Sequence, residues 1–137
     1  MAYEITKTDA EWRAALDPNE FKVLREAATE RPWSGTLLDE HRPGLFRCKA
    51  CSAPLFTSTS KFESGSGWPS FYEPVSPDAV ELKRDRSWGM VRTEVLCASC
   101  GSHLGHLFDD APQTPTGDRF CMNSVSLSFD GDAQPQH

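Results

Sequence analysis

Five cysteines set the chemistry open to this chain. Four form two CxxC pairs, Cys48-Lys49-Ala50-Cys51 and Cys97-Ala98-Ser99-Cys100. The fifth, Cys121, stands alone in Arg119-Phe120-Cys121-Met122-Asn123-Ser124. Two thiolate pairs complete a tetrahedral zinc shell and leave one thiol over. The spacing therefore points to a structural metal at one place and a reactive sulfur at another.

A CxxC turn brings two sulfurs to one ion, and a second turn closes the shell. The 45 residues between Cys51 and Cys97 exceed a usual zinc-ribbon insert, so the fold must carry two distant knuckles together. A closed all-thiolate shell has no open position and does no chemistry itself. Two disulfides or two dithiol redox motifs are the alternatives. A thioredoxin-like CxxC, however, expects a single motif beside a βαβ unit. A rival ligand set, Cys97, Cys100, His103 and His106, would leave Cys48 and Cys51 idle.

Cys121 is a nucleophile only as a thiolate, and an ordinary thiol with a pKa of about 8.5 is a few per cent ionised at neutral pH. Lowering that pKa to about 7 takes roughly 2 kcal/mol of environment. Arg119, two residues before, would share a strand face with Cys121. Asn123, two residues after, could donate an amide hydrogen bond. The bland alternative is a buried, inert small hydrophobe.

Gly101-Ser102-His103-Leu104-Gly105-His106 follows the second knuckle directly. His103 and His106 can act as a proton-donating pair near neutral pH. Taken singly, each is as readily a surface or core-satisfied histidine. Gly65-Ser66-Gly67-Trp68-Pro69-Ser70-Phe71 is a loop carrying Trp68. That residue is either a core tryptophan under a turn or an apolar wall for a substrate methyl.

These residues need elements to hold them. Thr8-Asp9-Ala10-Glu11 reads as a capping box opening a short helix with Trp12 and Leu16 on one face. Asp17-Pro18 caps and starts a second helix, with Phe21, Leu24, Ala27 and Ala28 at helical spacing and Arg31-Pro32 as its stop. Residues 8–31 are thus expected to be two short helices. Beyond Pro32 short strands are expected at Leu45-Phe46-Arg47, at Val80 and Leu82, at Val91, Thr93 and Val95, and most clearly over Ser124–Phe129. Residues 130–137 read as a frayed polar tail. The pattern predicts a mainly β fold, antiparallel, in one domain spanning 1–137.

The totals limit the partners. Net charge is −6 and the sequence pI is ≈ 5.1. A surface of that sign repels polyanions, which argues against generic nucleic-acid binding. Nothing resembles a signal peptide or a membrane span, so the expected location is cytoplasmic. In a reducing compartment paired cysteines favour metal or redox roles over structural disulfides. Nine glycines, ten prolines and a mean hydropathy of −0.51 describe a loop-rich chain that gains from a metal staple.

Three segments taken in order resemble the B-type peptide methionine sulfoxide reductases. They are Ser64–Phe71, Gly101–Asp110 (which contains Phe108) and Pro115–Ser124. With both CxxC pairs the resemblance runs from about Glu20 to Phe129. It implies two antiparallel sheets with short N-terminal helices, one structural zinc on Cys48, Cys51, Cys97 and Cys100, and reduction of the R epimer of methionine sulfoxide. Carried over by position, Cys121 is the nucleophile, and His103, His106 and Asn123 face the sulfoxide oxygen. Arg119 stabilises the thiolate, and Trp68 with Phe108 binds the substrate.

The chain departs from the family pattern at Ser66, where many members carry a resolving cysteine. An external thiol such as thioredoxin is therefore expected to reduce the Cys121 sulfenic acid. Phe120 and Ala111 are smaller departures, from a common tyrosine and a common glycine. The main competing reading is a zinc-ribbon-like protein-binding module without turnover, which needs neither Cys121 nor the histidines. A cysteine hydrolase has the thiol and histidines but no evident oxyanion hole.

Overall fold

The computed structural model describes residues 3–86 and 91–131. Both helices start where the capping boxes place them. In α1 (Asp9–Ala15) the Thr8 hydroxyl accepts from Glu11 N–H while the Glu11 carboxylate accepts from Thr8 N–H. In α2 (Pro18–Glu26) Asp17 and Glu20 make the same exchange, with Pro18 in the first turn. The expected stop at Arg31-Pro32 is too late. Helix α2 ends at Glu26, because Ala27 turns left-handed (φ 59°) and caps it. Residues beyond Ala27 instead form an irregular segment that reaches the site described below.

The remainder is antiparallel sheet. A three-stranded sheet has the order β2 (Pro54–Thr57), β1 (Leu45–Cys48), β9 (Leu127–Asp130). A six-stranded sheet has the order β3 (Lys61–Phe62), β4 (Ser70–Phe71), β8 (Arg119–Met122), β7 (His103–Phe108), β6 (Arg92–Cys97), β5 (Val80–Asp85). The two sheets meet through aromatic rings. Phe46 contacts Phe71 edge-on at 5.0 Å, Phe56 stacks on Phe71 at 4.4 Å, and Phe56 approaches Phe120 at 5.8 Å. Rings of this kind combine large apolar burial with preferred pair geometries, so they hold the sheets in one relation.

The helices cover one end of this core. Trp12, Phe21 and Leu24 are buried. Arg25 lies over the Trp12 ring at 4.6 Å and donates to the Cys100 carbonyl (3.0 Å) and the Ser102 hydroxyl (3.1 Å). The second helix is thereby tied to the second CxxC knuckle.

Two sequence expectations at the C-terminal end change. Ser124–Phe129 was the clearest strand by alternation, yet Ser124–Ser126 forms a 3-10 turn and pairing starts only at Leu127. Side chains override the pattern here. The Ser124 hydroxyl accepts from Leu37 N–H, Glu30 carboxylate accepts from Val125 N–H, and the Ser126 hydroxyl donates to the His103 carbonyl. Such local and cross-chain bonds compete with a sheet ladder. Asp130, expected to begin the frayed tail, pairs with Leu45 in the sheet. The rest of that expectation, residues 132–137, lies outside the described residues.

Candidate active site and metal centre

The two knuckles have one geometry. In the first, Ser52 N–H donates to the Cys48 carbonyl (2.8 Å) and Cys48 N–H to the Ala53 carbonyl (2.8 Å). In the second, Gly101 N–H donates to the Cys97 carbonyl (2.8 Å) and Cys97 N–H to the Ser102 carbonyl (2.9 Å). The residue after each pair, Ser52 or Gly101, is left-handed, with φ 68° and 77°. This turn points both sulfurs of a pair the same way.

The four sulfurs Cys48, Cys51, Cys97 and Cys100 lie within 4.8 Å of one another. Cys48 and Cys100 are 3.8 Å apart, and Cys51 and Cys97 3.6 Å. A disulfide needs about 2.05 Å, so these thiols are not bonded to each other. A tetrahedron with Zn–S of about 2.3 Å has edges of about 3.8 Å. The donor set therefore fits a metal ion and is compatible with zinc. The rival quartet with His103 and His106 does not gather among the described residues.

Cys121 lies on β8 and pairs across strands with Ser70 on one side and His106 on the other. Glu94 on β6 lies opposite His106. A row therefore crosses the sheet on one face: Ser70, Cys121, His106, Glu94.

His103 joins that face through an irregularity. Residues three apart on a regular strand point to opposite sides. In β7, however, Val95 faces Gly105 while Leu96 faces His103, so Leu104 is an extra, bulged residue. A bulge reverses the alternation beyond it. Both imidazoles then face the same way, with ring centres 5.4 Å apart. Gly105 beside the bulge must be glycine. An added Cβ would lie 2.0 Å from the Cys121 carbonyl oxygen.

Thr29, Trp68, Arg92, Gly105, His106, Phe108, Cys121 and Asn123 enclose an open cavity of about 90 Å³. That space admits a small group such as the end of a thioether side chain. Trp68 is fixed by its indole N–H, which donates to the Glu30 carbonyl (3.1 Å).

The two histidines are not equivalent. His106 lines the cavity beside Cys121. His103 is buried behind it, 3% exposed, and its Nδ1 donates to Glu94 Oε2 at 2.7 Å. That bond holds the Glu94 carboxyl below its ordinary pKa.

Asn123 lines the cavity, but its side chain is already engaged. Its amide nitrogen donates to the Leu104 carbonyl (3.1 Å) and its oxygen accepts from Glu30 N–H (2.9 Å). One amide proton of the two remains for other use. Asn123 thus ties the 29–35 segment to the bulge in β7.

Arg119 shares the Cys121 side of β8, as the spacing implies. Its guanidinium grips Asp110 with two bonds, 2.9 and 3.0 Å, and covers the Phe108 ring at 4.5 Å. The Asp110 carboxyl is held low by that pairing.

The Cys121 thiol is not the preformed low-pKa thiolate that its neighbours in sequence would favour. Burial pushes its pKa up, and the Ser66 hydroxyl and Arg119 oppose that rise without reversing it.

Sequence reasoning did not find Glu94, Asp110 or Glu30. Each acts through a neighbour on another strand or segment, and none stands beside Cys121 in the chain. For Glu94 the only local signal was its place in the alternating run before Cys97.

Two antiparallel sheets, four gathered sulfurs, and a separate cysteine and imidazole facing a small cavity form a site able to host thiol chemistry. Comparison with known proteins narrows the class. The SelR domain matches residues 16–131. A peptide methionine sulfoxide reductase MsrB of Leifsonia xyli is 61% identical over 93% of this chain and 91% of its own length. The MsrB of Thiobacillus denitrificans is 55% identical over 94% of this chain and 97% of its own. The chain belongs to the SelR family, the B-type peptide methionine sulfoxide reductases. A solved Mis18 'Yippee-like' domain shares the fold, with a TM-score of 0.51, 18% identity, and coverage of 65% of this chain and 96% of that one.

Proposed function

We propose that this chain reduces the R epimer of methionine sulfoxide in peptides and proteins, with Cys121 as nucleophile, His106 as proton donor and an external thiol as reductant. The observation that carries the reading is the pairing of Cys121 with His106 across β7 and β8, at the wall of a cavity sized for a thioether end.

The substrate methyl packs against Trp68 and Phe108, which leaves the sulfoxide sulfur facing Cys121. Cys121 sulfur attacks it, and His106 protonates the sulfoxide oxygen. The oxygen passes to Cys121, whose sulfur loses two electrons while the substrate sulfur gains them. Methionine leaves, and Cys121 is a sulfenic acid. A thiol then attacks that sulfenic acid, releases water and forms a mixed disulfide, and a second thiol restores Cys121. Thioredoxin or a small dithiol would serve.

Because burial favours the neutral thiol, ionisation of Cys121 belongs with substrate binding. A polarised sulfoxide and Arg119 then replace lost water as stabilisers of charge. The Glu94–His103 pair sits behind His106 and acts as a positioning group for it. Asn123 holds the bulge and keeps one amide proton for the sulfoxide oxygen.

The four-cysteine site is read as a structural zinc site. Cys48, Cys51, Cys97 and Cys100 would hold the ion, which supplies cross-linking and no reactive position. The chain is read as one cytoplasmic domain. No helix among the described residues is long and apolar enough to cross a membrane.

The test is turnover of separated sulfoxide epimers with dithiothreitol, with metal content measured on the same sample. Activity on the R epimer alone, abolished in Cys121→Ser with metal retained, is expected. Equal silence of wild type and variant toward both epimers would leave a zinc-ribbon-like binding module as the better account.

A further inference from the structure

The chemistry above uses no group from the loop beside Cys121 except Trp68. That loop also carries a chain of hydroxyls. Ser66 Oγ lies 3.8 Å from Cys121 Sγ and 2.8 Å from Ser64 Oγ. Ser64 Oγ lies 2.8 Å from Ser70 Oγ, and the Ser70 hydroxyl donates to the Trp68 carbonyl at 3.1 Å. Ser70 is 1% exposed and is the cross-strand neighbour of Cys121. The loop is pinned by further bonds: Ser66 N–H donates to Ser64 Oγ, and Trp68 N–H to Ser66 Oγ.

Each hydroxyl has one proton to donate, and a carbonyl only accepts. While Ser70 donates to the Trp68 carbonyl, Ser64 donates to Ser70, and the Ser66 proton goes to Ser64 or to the Trp68 carbonyl 3.5 Å away. Ser66 then offers sulfur a lone pair, which suits a neutral Cys121 S–H as donor. A thiolate reverses the demand, since it only accepts. Ser66 must then turn its proton to sulfur, which lets Ser64 turn to Ser66 and Ser70 to Ser64. The Trp68 carbonyl loses its Ser70 donor in that arrangement. Three rotations about C–O bonds complete the change. No hydroxyl proton is transferred, and the sulfur's own proton leaves to a base.

We propose that Ser64, Ser66 and Ser70 form a hydroxyl relay whose direction follows the charge on Cys121, with Ser66 the direct hydrogen-bond donor to the thiolate. The proposal rests on the reading of Cys121 as the nucleophile. It gives Ser66 a task of its own in a chain where that position cannot form a disulfide. Ser66 is then a catalytic residue, since it touches the reacting sulfur, and Ser64 and Ser70 are positioning residues. Charge-assisted bonds are shorter and stronger than neutral ones, so the contact tightens as sulfur ionises. Burial raises the Cys121 thiol, and the Ser66 hydroxyl is the first influence opposing it.

The charged and titratable groups around Cys121 lie elsewhere. Arg119 is on its own strand, with Asp110 behind it; His106 is on β7; Arg92 lines the cavity. The Glu30 carboxylate is turned to Val125 N–H. Residues 64–70 contain no titratable side chain. Substitutions in the relay therefore leave every one of these charges in place.

The experiment is the pH dependence of iodoacetamide alkylation at Cys121 in metal-loaded protein, followed by peptide mass. Wild type, Ser66→Ala, Ser66→Thr and Ser64→Ala are compared, with metal content confirming that each is folded. Ser66→Ala is expected to move the midpoint up by about one pH unit, which is about tenfold slower alkylation at fixed neutral pH. Ser66→Thr is expected to restore most of the loss. Ser64→Ala should shift the midpoint the same way by a smaller amount, about threefold in rate, because Ser66 loses its own donor. A Ser66→Ala profile that overlays wild type overturns the proposal. So does a Ser66→Thr profile matching Ser66→Ala, or a Ser64→Ala profile indistinguishable from wild type. Alkylation requires no sulfoxide. Failure of the reductase reading would show as absent turnover, and failure of the relay as an unmoved alkylation profile.

Discussion

Glu94 illustrates how a residue far from Cys121 in sequence can be tied to the same face of the sheet. Its carboxylate accepts the Nδ1 proton of a nearly fully buried His103, at 2.7 Å. The bond settles the tautomer of His103 and the plane of its ring, against which His106 packs. Removing it leaves a buried donor unsatisfied, at a cost of about 1–3 kcal/mol. Glu94→Ala is expected to lose that much in urea denaturation and to lower kcat more than it changes KM. A drop in stability with kcat unchanged would restrict Glu94 to a structural part.

Because the Glu94 carboxyl is held low by His103, its contribution to stability is present above the ordinary carboxylate pKa. It is lost as pH falls through the depressed value. Ser66 offers a complementary test. Its oxygen lies 3.8 Å from Cys121 sulfur, close enough for a thiol there to reach disulfide length with a small side-chain movement. Ser66→Cys is expected, after one turnover without reductant, to link to Cys121. Intact mass should then show two hydrogens fewer than the reduced variant. Wild type should show an added oxygen or an external adduct instead.

Among the elements, β7 is the one on which the site turns. A regular strand would send His103 and His106 to opposite faces. One extra residue, Leu104, brings both to the face that holds Cys121. Gly105 lets β7 and β8 close at that point. Gly105→Ala would place a Cβ 2.0 Å from the Cys121 carbonyl oxygen and 2.9 Å from Met122 Cα. Neither is a flexible side chain, so the strands must separate. The expected outcome is a loss of about 1–3 kcal/mol together with most of the activity, since His106 and Cys121 move apart. Wild-type turnover in that variant would show that the spacing of β7 and β8 is not critical.

For the molecule as a whole, the four-sulfur site joins the two sheets. Cys48 ends β1 of the three-stranded sheet, and Cys97 ends β6 of the six-stranded one. Structural zinc contributes about 10–16 kcal/mol in small zinc domains, comparable to the net stability of a domain at about 5–15 kcal/mol. Metal analysis is expected to give one ion per chain. Removing it with a strong chelator should loosen both sheets together, with loss of near-UV circular dichroism and of turnover. Full activity in metal-free protein would separate the site from the fold's integrity.

Residue types and spacing determined a great deal. Two CxxC pairs and a lone Cys121 partitioned the sulfurs, because a tetrahedral ion takes four thiolates however far apart they lie in sequence. Both helix starts were legible, since a capping box is closed within four residues. Tertiary structure decided the rest. The 3-10 turn at Ser124–Ser126 displaced a well-patterned strand because Glu30 and Leu37, remote in sequence, bind its backbone and hydroxyls. Helix α2 stopped at Ala27, well before the proline that marked its end.

The order of the two histidines, with His106 at the cavity and His103 behind it on Glu94, required the bulge and the register of β6 against β7. The direction in which the Cys121 pKa moves was decided the same way. Arg119, its neighbour in the chain, pulls that pKa down, but burial by parts of the protein that meet only on folding pushes it up. Local bonds are written in neighbouring letters, whereas desolvation and cross-strand pairing exist only once the chain has closed on itself.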